Sequence, residues 1–234
     1  MLAFAVELPR ALRGLVVCAA LALPLQASAQ EHEADPWEGF NRKMFAFNDT
    51  LDTYAFKPLA EGYRKVTPNF MQRGIGNFFN NIGEVRNLTN NLLQGKMHAA
   101  GVDTSRFLFN STFGLLGFFD VASKMGLQRN DEDFGQTLGV WGLGSGPYVV
   151  LPFLGPSTVR DGLARWPDSY NGPYPYIDDV STRNVTLAID AIDSRASFLD
   201  AERLIQGDKY TFMRNVYLQN REFKVRDGMV EDDF

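Results

Sequence analysis

The clearest pattern in the chain is a series of apolar stripes at helical spacing. Phe40, Met44, Phe47, Leu51 and Tyr54 recur every three or four residues, which predicts one face of an α-helix. Asn41, Arg42, Lys43 and Asp49 fall on the other face. Asp35-Pro36-Trp37-Glu38 reads as the start of this helix, with Asp at the N-cap, Pro at the first helical position and Glu at the third. Lys57-Pro58 is expected to disturb or end it. A short helical piece follows and stops at Thr67-Pro68. A second stripe then runs through Ile75, Phe78, Phe79, Ile82, Val85, Leu88 and Leu92. Its opposite face is rich in amides: Asn77, Asn80, Asn81, Asn87, Asn90 and Asn91. Two readings of that face are open, a solvated surface or an uncharged polar wall facing a water-filled passage.

Two stretches depart from this pattern. Arg106 to Asp120 holds five phenylalanines and three leucines in fifteen residues, interrupted by Gly114 and Gly117. It is too apolar for a surface helix and shorter than the roughly 20 apolar residues that cross a bilayer. It reads either as a core helix or as a membrane segment that enters and returns. In the second reading, two half-length helices, Thr104 to Phe113 and Leu115 to Ala122, meet at the glycines. Phe134 to Pro156 carries six glycines, and a helix is not expected there because each glycine costs about 1 kcal/mol relative to alanine. Tyr148 to Leu151 is a short strand candidate. Ser157 or Thr158 starts a further helix that Trp166-Pro167 ends. Two more amphipathic helices, Ser181 to Leu204 and Asp208 to about Phe223, complete the chain before an acidic tail over 225–234. The fold class is therefore mainly α, as a single domain over 30–224.

Composition sharpens the picture in two ways. Net charge is −5, so the chain lacks the basic excess that nucleic-acid binding requires. Phe is unusually abundant, at 19 residues. The first 29 residues look like an export signal. Arg10 and Arg13 form the positive region, Leu15 to Leu25 the apolar region, and Ala27-Ser28-Ala29 the cleavage site. The sole cysteine, Cys18, lies in the apolar region behind Val17, a poor setting for lipidation, so cleavage after Ala29 is preferred to a lipid on Cys18.

The search for chemistry returns little. The histidines are His32 and His98, and no nucleophile motif supports catalysis through His98. No zinc spacing occurs, and no phosphate-loop motif appears among the glycines. Asp131-Glu132-Asp133 and Asp178-Asp179 read as solvated charge runs. No cofactor is expected. What remains is an exported, Phe-rich set of amphipathic helices suited to one leaflet and to an apolar ligand.

At this point a family can be recognised. Asp35-Pro36-Trp37-Glu38-Gly39-Phe40-Asn41-Arg42 with Met44, Phe47 and Asn48 resembles the start of the mature MlaA (VacJ) family. Arg106-Phe107, Asn110-Ser111-Thr112 and Gly114 to Asp120 resemble its central motif. Phe134-Gly135, Thr137-Leu138-Gly139, Gly142, Gly144, Gly146-Pro147-Tyr148, Leu151-Pro152-Phe153 and Arg160-Asp161 resemble a third.

The resemblance implies a helical ring in the periplasmic leaflet of the outer membrane, with a central amphipathic pore. Phospholipids would pass through it from the outer leaflet to a periplasmic carrier, beside a trimeric porin. It also implies site positions. Met44, Phe47, Asn48 and Asp49 match the helix near the pore, and Gly142, Gly144, Gly146 and Pro147 match the pore or gate segment. Phe107, Phe109, Phe113, Gly114, Gly117, Phe118 and Phe119 match a membrane-embedded hairpin. Alternatives left open are a scaffold that recruits the carrier without conducting lipid, and a phospholipid hydrolase using His98.

Overall fold

The computed structural model describes residues 35–229. The expected export signal, Cys18, His32 and the second half of the acidic tail, 230–234, lie outside the described residues. Helix α1 (Glu38–Leu51) runs into a π-helical turn (Asp52–Phe56) and then α2 (Lys57–Val66). Pro58 does not end the helix. Pro58 brings no N–H and its ring crowds the preceding turn, and a wider turn accommodates this, with the Lys57 N–H bonding to the Asp52 carbonyl. Helices α3 (Asn69–Leu93) and α4 (Met97–Thr112) follow as an antiparallel pair, with Gly95 at φ +75° between them. Short helices α5 (Val121–Lys124) and α6 (Phe134–Val140) lead to a hairpin of β1 (Tyr148–Leu151) and β2 (Gly155–Thr158). Its antiparallel register pairs Tyr148 with Thr158 and Leu151 with Gly155. Helix α7 (Val159–Ser169), a 3₁₀ turn (Tyr174–Tyr176), α8 (Val180–Ser197), α9 (Leu199–Glu202) and α10 (Lys209–Val225) complete the described chain.

Several local expectations are corrected. Helix α6 forms inside the glycine-rich segment because Asp133 caps it, accepting from the Gln136 N–H at 3.0 Å. Helix α7 passes through Trp166-Pro167 to Ser169. The stretch Ser181 to Leu204 is not one helix but two, parted at Phe198. Asp35 does not cap α1. It is buried, and its carboxylate accepts from Asn41 Nδ2 at 2.7 Å and from the Tyr210 hydroxyl. Thr158 does cap α7, accepting from the Asp161 N–H at 3.2 Å.

The interior is polar. Buried apolar groups form two small clusters, Ala60 with Ala196 and Leu199, and Tyr148 with Val150 and Tyr210. The larger buried set is Asn, Asp, Glu, Arg, Gln and Thr. Most of the amide face of α3 is neither solvated nor the wall of a passage; Asn80 alone of the six amides is exposed, and it borders the cavity described below. Asn81, Asn87, Asn90 and Asn91 are buried between α3, α4 and the segment 120–137. Asn91 donates to Asp103 at 2.7 Å, Asn87 to the Asn130 carbonyl at 2.7 Å, and Asn90 accepts from the Thr137 hydroxyl at 2.8 Å. At the centre Arg106 is 2 % exposed and pairs with Glu84 at 2.7 Å. It also donates to the Leu127 carbonyl at 2.6 Å and to Ser123 at 3.0 Å. Asp131-Glu132-Asp133 is not a solvated run either. Glu132 is buried beside Lys96 and Gln94, Asp131 meets Lys224 and Arg86, and Asp133 takes a two-pronged bond from Arg221 at 2.5 Å on each arm.

The apolar residues face outward. Every described Phe and Trp is partly or largely exposed. Phe113, Phe153 and Trp166 each stand at 71 %. No helix among the described residues is long and apolar enough to cross a membrane.

Candidate functional site

Four helices each turn one stripe toward a common space. Phe79, Ile82, Gly83 and Arg86 lie three to four residues apart on α3. Asp161, Arg165 and Asp168 do the same on α7, Leu187, Asp190 and Ser194 on α8, and Tyr217 and Arg221 on α10. Arg129, Asp133 and the turn through Pro173, Tyr174 and Pro175 close the gaps. The cavity they border is partly open and holds about 790 Å³. Its lining alternates aromatic and aliphatic groups with charges of both signs, so it suits a molecule that is itself amphipathic.

The carboxylates of this lumen are tightly engaged. Arg221 bridges Asp133 and Asp161, reaching the latter at 2.8 Å, and Asp161 also takes Arg160 at 2.9 Å and the Tyr217 hydroxyl at 2.9 Å. Burial works to raise both acids, but the hydrogen bonds and charge of Arg221 outweigh it and hold them below the ordinary aspartate range. Asp168 accepts from the Phe134 N–H at 2.8 Å and Asn90 at 3.1 Å, and burial leaves it above that range. Asp190 accepts from the Tyr174 hydroxyl at 2.6 Å.

The residues expected from sequence lie in two other places. Asn48 sits on the exposed edge of β1, donating to the Leu151 carbonyl at 2.9 Å and accepting from the Phe153 N–H at 2.8 Å. Phe47 packs edge to face on Phe153 at 5.4 Å, Met44 rests on the Tyr148 cluster, and Asp49 pairs with Lys209 at 2.6 Å. The loop of Gly142, Gly144, Gly146 and Pro147 joins α6 to β1. Arg160 anchors it, donating to the Leu143 carbonyl at 3.1 Å, and Leu143 itself is exposed. None of these eight residues lines the cavity.

Phe107 to Phe119 belongs to α4 and the turn after it. The chain does reverse there, but only one of the two expected half-helices forms. Helix α4 ends at Thr112, and Leu115 to Phe119 is a tight turn in which Leu115 and Leu116 take positive φ. The Gly117 N–H bonds back to the Asn110 carbonyl at 2.8 Å, and at φ +97° a Cβ there would meet Asn81. Phe118 is tucked against Gly74 of α3, Gly114 is buried beside the Phe119 and Asn110 carbonyls, and Phe109 stacks near Phe113. Phe113, Leu115 and Leu116 project outward.

His98 is exposed in the first turn of α4 and makes no hydrogen bond within the described residues. Among those residues no group of His, Cys, Asp or Glu is arranged to hold a metal.

The lumen side chains were missed for a simple reason. Phe79 and Ile82 read as part of one broad apolar stripe, and nothing in the sequence of α7 alone sets Asp161 and Arg165 apart from the polar side of any helix. Charges lying within a helical turn of such stripes on several helices are the signal that was available.

Known proteins place this architecture. A solved structure described as the structural basis for maintenance of bacterial outer membrane lipid asymmetry superposes with a TM-score of 0.73. That match has 34 % identity and covers 82 % of this chain and 99 % of that one. The intermembrane phospholipid transport system lipoprotein MlaA of Escherichia coli is 37 % identical over 85 % of this chain and 81 % of its own length. Its counterpart in Haemophilus influenzae is 36 % identical over 83 % and 80 %. The MlaA lipoprotein family model matches residues 33–224, and the chain belongs to that family.

Proposed function

We propose that this protein is the outer-membrane component of a phospholipid trafficking system that maintains outer-membrane lipid asymmetry. Phospholipids that have strayed into the outer leaflet pass through the lumen toward a periplasmic carrier. The observation that carries this reading is the inversion of the fold: aromatic side chains outside, charges and amides inside, and an amphipathic cavity of about 790 Å³ between four helices. An exposed apolar surface of this extent needs lipid or protein around it. In this reading the protein lies in the periplasmic leaflet with its apolar rim in the acyl region, and the exposed aromatic surface supports it.

In this reading the headgroup follows the charged lumen while the acyl chains trail along Phe79, Ile82, Leu187 and the membrane. No covalent step is required. The partners are phospholipid, a trimeric porin that shields part of the rim, and the soluble carrier. The exposed turn Phe113 to Leu116 serves as the membrane-embedded hairpin, and the loop of Gly142 to Pro147 gates one mouth.

The test is to plug the lumen. Gly83 faces the cavity, and a Cβ there would be 3.6 Å from the Arg129 guanidinium. In cells lacking their own copy, Gly83→Trp should leave porin association intact while outer-leaflet phospholipid accumulates as in the deletion. A scaffold would tolerate the plug, and restored asymmetry in that variant would end the conduit reading. His98→Ala should leave asymmetry unchanged, whereas a hydrolase would lose it.

A further inference from the structure

The cations of the lumen are distributed differently from its carboxylates. Asp133, Asp161, Asp168 and Asp190 all have donors within 3.1 Å. Arg221 is consumed by two of them. Arg129 and Arg165 line the same cavity, are exposed to it, and make no hydrogen bond or ion pair with any described residue. Arg86 donates its Nε to the Glu132 carbonyl at 3.1 Å and reaches Asp131, which it shares with Lys224, only at 3.5 Å. Gly83 and Arg86 are one turn apart on α3, and the Arg129 guanidinium lies over Gly83, so Arg86 and Arg129 share a wall.

Arg165 meets no carboxylate directly, and Arg129 acts on Glu84, Asp103 and Asp131 only through space, so both forks are open to an anion that enters the cavity. The planar fork of arginine fits phosphate oxygens two at a time. The neighbouring aspartates do not compete, since each already has its own donors. We infer that Arg129 and Arg165, with Arg86 beside them, form a station that takes the phosphate group of the passing phospholipid. The inference rests on the lipid-conduit reading. It adds that the lumen selects for phosphate, so that lipids of equal acyl bulk without phosphate are passed over.

The experiment uses the purified full-length protein in detergent. Two fluorescent-acyl probes, phosphatidylethanolamine and diacylglycerol with identical chains, are titrated by anisotropy. The wild-type protein should bind the phospholipid at least about tenfold more tightly, as charge-assisted bonds to phosphate imply. Arg129→Gln/Arg165→Gln should bind both probes alike, at the affinity of the diacylglycerol, and lysine at both positions should restore part of the preference. Neither arginine bonds another described group, but Arg129 favours the buried Glu84 and Asp103 through space, so it is the lysine pair, which keeps both charges, whose thermal unfolding should match the wild type.

A double glutamine variant that keeps the preference overturns the station. So does a wild type that binds both lipids equally, although the conduit reading survives that result. A wild type that binds neither lipid defeats the conduit itself. Inorganic phosphate that displaces the phospholipid supports the station. Phosphate bound by a protein that takes up neither lipid would assign the arginines to a free anion and overturn the proposal.

Discussion

Glu84 and Arg106 face each other at 2.7 Å with 0 % and 2 % exposure, on two helices that otherwise meet through amides. Burial pushes Glu84 upward, and the Arg106 contact works against that push. Removing one partner strands a buried charge, which costs about 3–5 kcal/mol. Arg106→Ala should therefore lower unfolding free energy by about that amount in a denaturant titration in detergent, and Glu84→Gln/Arg106→Gln should lose less than the sum of the two single changes.

Glu202 offers a pH signature. Burial would raise it, but Arg195 at 2.6 Å, with Lys209 and Lys57, brings it down from 4.5 to about 2. A carboxylate depressed in the folded state stabilises fully above its unfolded value and loses that contribution as pH falls toward its folded one. Melting temperature should thus fall between about pH 4.5 and pH 2, and Glu202→Gln should flatten that limb. These pairings could not be read from the chain. Asp131-Glu132-Asp133 looks the same whether it is solvated or claimed by Arg221, Lys224 and Lys96, because the partners lie far away in sequence.

At the scale of elements, α1 and the hairpin show how a polar helix face can be structural. Asn41 donates to the Tyr148 carbonyl at 3.0 Å and accepts from the Val150 N–H at 2.9 Å, and Asn48, two turns on, repeats this with Leu151 and Phe153. The two amides take the place of a third strand along β1 and satisfy an edge that would otherwise be open. Asn41→Ala should speed amide hydrogen exchange at Val150 by several-fold, leaving the amides of α4 unchanged.

Helix α3 meets the turn after α4 at Gly74, where an added Cβ would stand 2.1 Å from the Phe118 ring. Gly74→Ala should cost about 1–3 kcal/mol of stability by overpacking, and Phe118→Leu should recover part of it. The helix positions themselves were legible, since spacing and caps are local properties. The exceptions have local causes too. The π turn absorbs Pro58, and the Asp133 cap rescues α6 among its glycines. Helix α4 does not resume after Gly117, because two leucines at positive φ turn the chain out toward the surrounding medium.

The whole molecule is organised by its solvent. Trp141 and Trp166 are 57 % and 71 % exposed, and both belong to the outward apolar surface. If this rim lies in acyl chains, brominated phospholipids should quench single-tryptophan variants at both positions while aqueous iodide should not. The reverse result would place the rim in water.

The apolar and polar stripes, and so the helices, follow from the sequence alone, because a 3.6-residue period is set by nearest neighbours along the chain. Which stripe faces inward does not follow from it. In water the stripe of Phe40, Phe47 and Tyr54 would be buried and the amides of α3 exposed. Here the reverse holds: buried amides and ion pairs satisfy one another across α3, α4 and α10, and the aromatics are left on the outside. The lumen is the same case. Arg129, Arg165 and Asp190 are far apart in the chain, and only the packing of four helices around one space makes them neighbours.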